Sequence, residues 1–168
     1  MSRAVLSIGS NLGDRLAHLQ SAVDGLRPLA VSGVYETAPW GGVEQDDYLN
    51  AVVVAVDPDL DARGWLDRAH ELEAAAGRTR EVRWGPRTLD VDVVDVAGTV
   101  SADPELTLPH PRAHQRAFVL VPWAEADPEA TLPGHGRVAG LAARLLAADP
   151  AAVRRRDDLR LRRDAGGS

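Results

Sequence analysis

The sequence predicts an α+β fold of the ferredoxin-like kind: a βαββαβ core, a mainly antiparallel sheet with helices packed on it, and helical additions after the core. Three observations predict it. Apolar runs of strand character alternate with stretches of helical period, in the order strand, helix, strand, strand, helix, strand. Cap and turn residues punctuate the boundaries between them. The length of 168 residues, without repeat or linker, suits a single domain over 1–168 that buries roughly two-thirds of its unfolded surface, with 154–168 as a charged C-terminal tail.

Ala4 to Ile8 reads as the first strand, and Gly9-Ser10-Asn11-Leu12-Gly13-Asp14 as a turn and cap. Leu16, Leu19, Val23 and Leu26 then recur at helical spacing up to Pro28. Val31 to Tyr35 is the second strand, Thr37 to Asp47 a loop, and Tyr48 to Val56 the third strand. Asp59 or Asp61 can cap a helix whose stripe of Ala62, Trp65, Leu66, Ala69, Leu72 and Ala76 ends at Gly77 in a C′ position. A polar, cationic stretch from Arg78 to Arg87 follows, then a strand from Leu89. Further on, Leu106 to Leu108 reads as a short strand, Phe118 to Ala126 as a helix with Pro122 in its first turn, and Val138 to Ala147 as an amphipathic helix. In the tail, Leu159 and Leu161 suggest an edge strand, and the Gly-Gly-Ser end is expected to fray.

Composition narrows the function. A formal charge of −6 argues against nucleic acid as the main partner, because affinity for a phosphate backbone scales with the cations presented. No run is long enough for a membrane span or a signal peptide. Absence of cysteine excludes disulfides and thiolate metal sites and suits a reducing compartment, so a cytoplasmic location is expected. All 19 basic residues are arginine, so a Walker A phosphate loop, which needs its lysine, cannot form.

The chemistry concentrates in "EVRWGPRTLDVDVVDV", residues 81–96. Side chains alternate along a strand, so Asp90 and Asp92 share one face, with Cα atoms about 6.5–7 Å apart, while Leu89, Val91 and Val93 face the core. Paired carboxylates repel unless cations lie between them. Two Mg²⁺ ions would fit that gap and also grip phosphate oxygens; a plain polar outer face of a half-buried strand has the same spacing. Just upstream, Arg78, Arg80, Arg83 and Arg87 lie among Gly77, Gly85 and Pro86 without helical or strand periodicity. Such a loop can carry four guanidiniums to a polyphosphate, with Trp84 as a lid anchor, or it can be an ordinary solvated loop. Arginines beside an acid pair point to a nucleotide–metal site more strongly than either motif alone. Asp95 falls out of phase with the pair and is expected on the core side, with an irregularity near it.

The segments "IGSNLGDR" (8–15), "YETAPWG" (35–41), "DYLNAVV" (47–53), "RWGPRTLDVDVV" (83–94) and "LPHPRAHQRAFVL" (108–120) resemble, in order, the 6-hydroxymethyl-7,8-dihydropterin pyrophosphokinase family of folate synthesis. That resemblance implies transfer of a pyrophosphoryl group from ATP to the hydroxymethyl group of the pterin, with release of AMP, by a monomer that uses ATP as co-substrate and two Mg²⁺ ions. It implies Asp90 and Asp92 as metal ligands and catalytic residues, joined by Arg80 and Arg87, which stabilise the transition state. Glu73, Arg78, Arg80, Arg83, Trp84, Arg87, Val93, Thr107, His110 and Arg116 match nucleotide-binding positions. Thr37, Trp40, Tyr48, Asn50 and Phe118 match the pterin pocket, where a flat heterocycle is held between aromatic faces and read along its amide edge. His70, Pro111 and Ala38 depart from the family's pattern.

Two other readings compete. A strand-borne Asp-x-Asp also serves nucleotidyltransferases, but there the acids follow a Gly-Ser helix closely, whereas Ser10 and Asp90 here are 80 residues apart. A non-enzymatic ferredoxin-like ligand-binding module explains the fold and leaves the arginines and acids without a purpose.

Overall fold

The computed structural model of the chain describes residues 2–38, 47–77 and 88–163. The elements in order are β1 (Ser2–Ser10), α1 (Arg15–Leu26), β2 (Ala30–Val31), β3 (Tyr35–Thr37), β4 (Tyr48–Asp57), α2 (Ala62–Ala75), β5 (Asp90–Val96), β6 (Ser101–Asp103), β7 (Leu106–Leu108), α3 (Ala117–Ala126), β8 (Thr131–Leu132), β9 (Gly136–Arg137), α4 (Val138–Ala148) and β10 (Arg154–Arg155). The main sheet runs β10-β3-β4-β1-β5, with β2 also on β4, and every pairing in it is antiparallel.

Both core helices start at the caps their sequence offers. Asp14 Oδ1 accepts from the Ala17 amide at 3.1 Å and Asp61 Oδ1 from the Gly64 amide at 2.8 Å, each quieting an orphan donor of a first turn. Gly77, at φ +77°, supplies the left-handed residue that ends α2. The apolar stripes of α1 and α2 lie on one face of the sheet, where Leu6, Ile8, Leu19, Trp65, Leu89, Val91 and Val93 form one buried cluster. On the opposite face Val5, Val52, Val54, Val94, Val119, Leu120 and Trp123 form a second, covered by α3 and α4. Fully burying side chains of this kind contributes about 1.5–3 kcal/mol each.

Four expectations are corrected. The single strand expected over Val31 to Tyr35 is split into β2 and β3. Ser32 Oγ accepts the Val52 amide at 2.9 Å, taking the place of a ladder carbonyl, and four steps on this strand (Val31 to Tyr35) oppose three on β4 (Val53 to Asn50). The Leu6↔Val93 and Val5↔Asp95 pairs leave Val94 as an extra residue in β5. That bulge puts Asp95 on the face of Val5, not on the α1/α2 side. Pro122 sits in the second turn of α3, because the helix starts at Ala117, and it removes the donor that would have met the Phe118 carbonyl. The tail's edge strand is Arg154–Arg155 on β3, while Leu159 and Leu161 pack against the first cluster.

That edge strand is held by charge. Glu36 on β3, 8% exposed, receives guanidiniums from Arg15, Arg154 and Arg156. A buried carboxylate needs such partners to stay ionised.

Candidate active site

The register lines up the site. Gly9 of β1 pairs with Asp90 on one side and Asn50 on the other, and Asn50 pairs with Tyr35, so one row across the sheet reads Asp90, Gly9, Asn50, Tyr35. Two residues further along, the same face has Asp92 beside Ser7. Both acids therefore occupy the face that α3 and α4 cover further along, at the end those helices leave open; Asp92 is exposed and Asp90 half-buried.

Gly9 sits in a tight place. A β-carbon there would stand 3.0 Å from Asn50 Oδ1 and 3.5 Å from Tyr48 Cδ1. The missing side chain lets Asn50 and Tyr48 lean over β1 toward the acid strand. Asn50 Nδ2 donates to Thr37 Oγ1 at 2.7 Å, which orients the amide and leaves its oxygen over Gly9.

β5 is an edge strand, so its outward backbone groups need partners. The Val91 amide donates to Glu73 Oε2 of α2 at 2.9 Å, and the Val94 carbonyl accepts from the His110 amide at 2.7 Å. Between this edge, α2 and the β6–β7 hairpin opens a cavity of about 290 Å³. Glu73, Asp92, Val93, Thr107 and His110 line it, as do His70 and Pro111.

His110 is held neutral: burial, then Arg116 and Arg112, bring its pKa down to about 4. Its Nδ1 faces the Arg112 amide at 3.2 Å and accepts from it, which leaves the proton on Nε2 as a donor. Arg116, extended just before α3, sits with its guanidinium 5.5 Å above the Phe118 ring. Burial lowers its pKa while Asp92 and Asp90 pull it up, so a half-buried cation stands within electrostatic reach of both acids. An arginine keeps its charge under such shifts.

The donor set suits a hard divalent cation. Two carboxylates share one face beside a guanidinium, and among the described residues no group of three or more His, Cys, Asp or Glu side chains assembles a metal cage. Mg²⁺ is commonly bound by one or two carboxylates with phosphate oxygens and water completing its shell.

Comparison with known proteins decides the family. The family model described as 7,8-dihydro-6-hydroxymethylpterin-pyrophosphokinase (HPPK) matches residues 5–128. The chain belongs to the HPPK family. It is 52% identical over 168 aligned positions to a 2-amino-4-hydroxy-6-hydroxymethyldihydropteridine pyrophosphokinase of Mycobacterium tuberculosis (strain CDC 1551 / Oshkosh), covering 92% of this chain and 89% of that one. The enzyme of the same name from Bacillus subtilis (strain 168) is 41% identical over 128 positions, 73% of this chain and 76% of that one. Among solved structures, wild-type Plasmodium falciparum HPPK-DHPS with pteroate aligns at a TM-score of 0.70 with 12% identity, over 92% of this chain and 47% of that chain. This last likeness is one of fold, and the chain spans less than half of that longer protein.

Within this HPPK fold the expected residues other than the acid pair fall in separate places. Glu73, Val93, Thr107 and His110 converge on the cavity beside β5, and Arg116 stands between the acid pair and Phe118. Thr37, Tyr48 and Asn50 meet over Gly9. Phe118 packs against the second cluster but stays partly exposed, on a helix that contacts β4 and β3. Trp40, Arg78, Arg80, Arg83, Trp84 and Arg87 lie outside the described residues. Sequence reasoning missed Gly9 as the spacer of the row, although it stands in the quoted "IGSNLGDR". It also missed the hydrogen bond from Val91 to Glu73, which only the edge position of β5 calls for.

Proposed function

We propose that the face bearing Asp90, Asp92 and Asn50 carries out pyrophosphoryl transfer from ATP to the hydroxymethyl group of 6-hydroxymethyl-7,8-dihydropterin, with AMP as leaving group, in folate biosynthesis. The hydroxymethyl oxygen forms a bond to the β-phosphorus and the bond from that phosphorus to the α,β-bridging oxygen breaks. AMP keeps the bridging oxygen, and the hydroxyl proton passes to solvent. The observation that supports this reading is the row Asp90, Gly9, Asn50, which puts a carboxylate and a side-chain amide on one face, two strands apart.

Each residue then has a task. Asp90 and Asp92 would hold two Mg²⁺ ions, which would neutralise the polyphosphate and favour ionisation of the hydroxyl. Arg116 balances the acids and meets phosphate oxygens from the α3 side. Arg78, Arg80, Arg83 and Arg87 add guanidiniums to the triphosphate, with Arg80 and Arg87 stabilising the charge that develops in transfer and Trp84 shielding it from water. Glu73, Val93, Thr107 and His110 form the nucleotide side, where neutral His110 presents its Nε2 proton as a donor. Thr37, Trp40, Tyr48, Asn50 and Phe118 form the pterin side. Catalysis is positioning plus neutralisation: an ATP of about four negative charges is brought to two carboxylates and an alcohol only when cations outnumber that repulsion. The chain acts as a cytoplasmic monomer; its lack of cysteine suits a reducing compartment.

The test is product identification. With ATP, Mg²⁺ and hydroxymethyl-dihydropterin, AMP is expected only when the pterin is present. Release of pyrophosphate instead of AMP would overturn the assignment in favour of nucleotidyl transfer.

A further inference from the structure

The C-terminal segment makes a contact that the site does not use. Arg155 on β10 points its guanidinium at the far end of α3, with Nη1 2.6 Å from Glu125 Oε2, and also donates to the Tyr35 hydroxyl at 3.1 Å. The Tyr35 hydroxyl donates to Glu125 Oε1 at 2.7 Å, and the Gly33 amide donates to the same oxygen at 2.9 Å. Asp157 Oδ1 accepts from Arg155 Nε at 2.6 Å, so the guanidinium is held from both sides.

A seat is built for it. A β-carbon on Gly33 would stand 2.7–2.8 Å from the guanidinium atoms of Arg155, so a glycine keeps that place open. The guanidinium also lies 5.6 Å from the centre of the Tyr35 ring. Burial, then Glu125, raises the Tyr35 pKa to about 12, so its hydroxyl keeps the proton it donates.

The elements joined here are those that carry the two sides of the pterin pocket. Glu125 lies in the last turn of the helix whose first turn holds Phe118, and Tyr35 opens the strand that holds Thr37 and pairs with Asn50. We propose that Arg155 is a positioning residue, which sets the separation of α3 from β3 and thereby the gap between Phe118 and the Thr37–Asn50 pair. The proposal rests on the pterin-pocket reading above. Arg155 lies beyond the 5–128 stretch matched by the family model. Partly exposed ion pairs add little to stability; Arg155 is 45% and Glu125 33% exposed. A planar fork between a carboxylate and a ring fixes geometry instead.

Steady-state kinetics of the full chain with ATP and hydroxymethyl-dihydropterin test this, alongside thermal melts. Arg155→Ala is expected to raise the pterin KM about tenfold, with ATP KM and kcat within about twofold and the melting temperature within about 3 °C. Gly33→Ala, which fills the seat, is expected to do the same, and Arg155→Lys, which keeps the charge without the fork, to fall between. An unchanged pterin KM in Arg155→Ala, while Asn50→Ala raises it, overturns the proposal and leaves the pocket standing. A rise of both KM values together with a clear fall in melting temperature overturns it as general loosening. If Asn50→Ala has no effect either, the pocket assignment fails and the positioning role with it.

Discussion

Glu73 Oε2 accepts the backbone amide of Val91 at 2.9 Å, and Val91 is the residue between Asp90 and Asp92. A helix carboxylate thus holds the acid-bearing strand at its open edge, while both partners are buried. Removing it leaves an amide without its acceptor in a dry place, which costs about 1–3 kcal/mol. Glu73→Ala is therefore expected to lower the melting temperature by several degrees and kcat/KM by at least about tenfold. Glu73→Gln keeps an acceptor oxygen and should lose less on both counts. Equal losses in the two variants, read by calorimetry and initial rates, would remove this positioning role.

Asp92 is exposed and lies on the site face, so its removal should spare the fold. Asp92→Ala and Asp90→Ala are each expected to reduce kcat by about 10³-fold with the fold retained. Titration of Mg²⁺ at saturating ATP should show a weakened requirement curve in both. Near-normal turnover in either would exclude the acid pair as metal ligands.

Gly9 keeps room for the Asn50 amide, whose oxygen would lie 3.0 Å from a β-carbon at that position. Gly9→Ala should push the amide aside and raise the pterin KM about tenfold, with a smaller effect on ATP KM. The larger effect falling on ATP would contradict the placing of Asn50 on the pterin side.

His110 has its pKa lowered to about 4 by burial and by the neighbouring Arg116 and Arg112. A folded-state pKa below the ordinary histidine value means that the unfolded chain takes up the proton first as pH falls. The neutral site therefore lowers stability progressively from about pH 6.5 down to about pH 4, and contributes no slope above that window. His110→Gln is expected to flatten the melting-temperature profile between those limits and to raise ATP KM about tenfold at pH 7.5. An ATP KM that titrates near pH 6.5 in the unaltered enzyme would show His110 to be charged there.

Asp95 carries the opposite sign. Burial raises its pKa, and Oδ1 is buried without a hydrogen-bond partner among the described residues. A raised carboxylate pKa means that the fold disfavours the ionised form, so its cost is absent below the unfolded pKa and complete above the folded one. Asp95→Asn should raise the melting temperature at pH 8 by roughly 1–3 °C, partial solvent access having reduced the effect, and by less at pH 4. A gain that is equal at both pH values would place its origin outside ionisation.

Much of the fold was legible because period and caps are local. Strand alternation put Leu89, Val91 and Val93 in the core with Asp90 and Asp92 opposite, and Asp61 and Gly77 delimit α2 as their chemistry requires. What went astray depended on partners distant in sequence. The break at Ser32 exists because its hydroxyl meets Val52; the irregularity expected near Asp95 is present as the bulge at Val94, but the face it gives Asp95 follows from β1 having one residue fewer opposite it. The docking of Arg154–Arg155 needs Glu36 and Tyr35, more than a hundred residues earlier. The same holds for the site. Residue types and motif order reveal an acid pair, an arginine segment and the side chains Thr37, Tyr48, Asn50 and Phe118.

The chain alone therefore determined most of its elements, the family it resembles and its chemical inventory, since propensity, period and motif are properties of neighbouring residues. Tertiary structure decided which side chains share a surface: the Asp90–Gly9–Asn50–Tyr35 row, the closing of the β5 edge by Glu73, and the seating of Arg155 against Glu125. Register and burial are set by residues far apart along the chain, and a one-residue slip reverses every side chain of a strand.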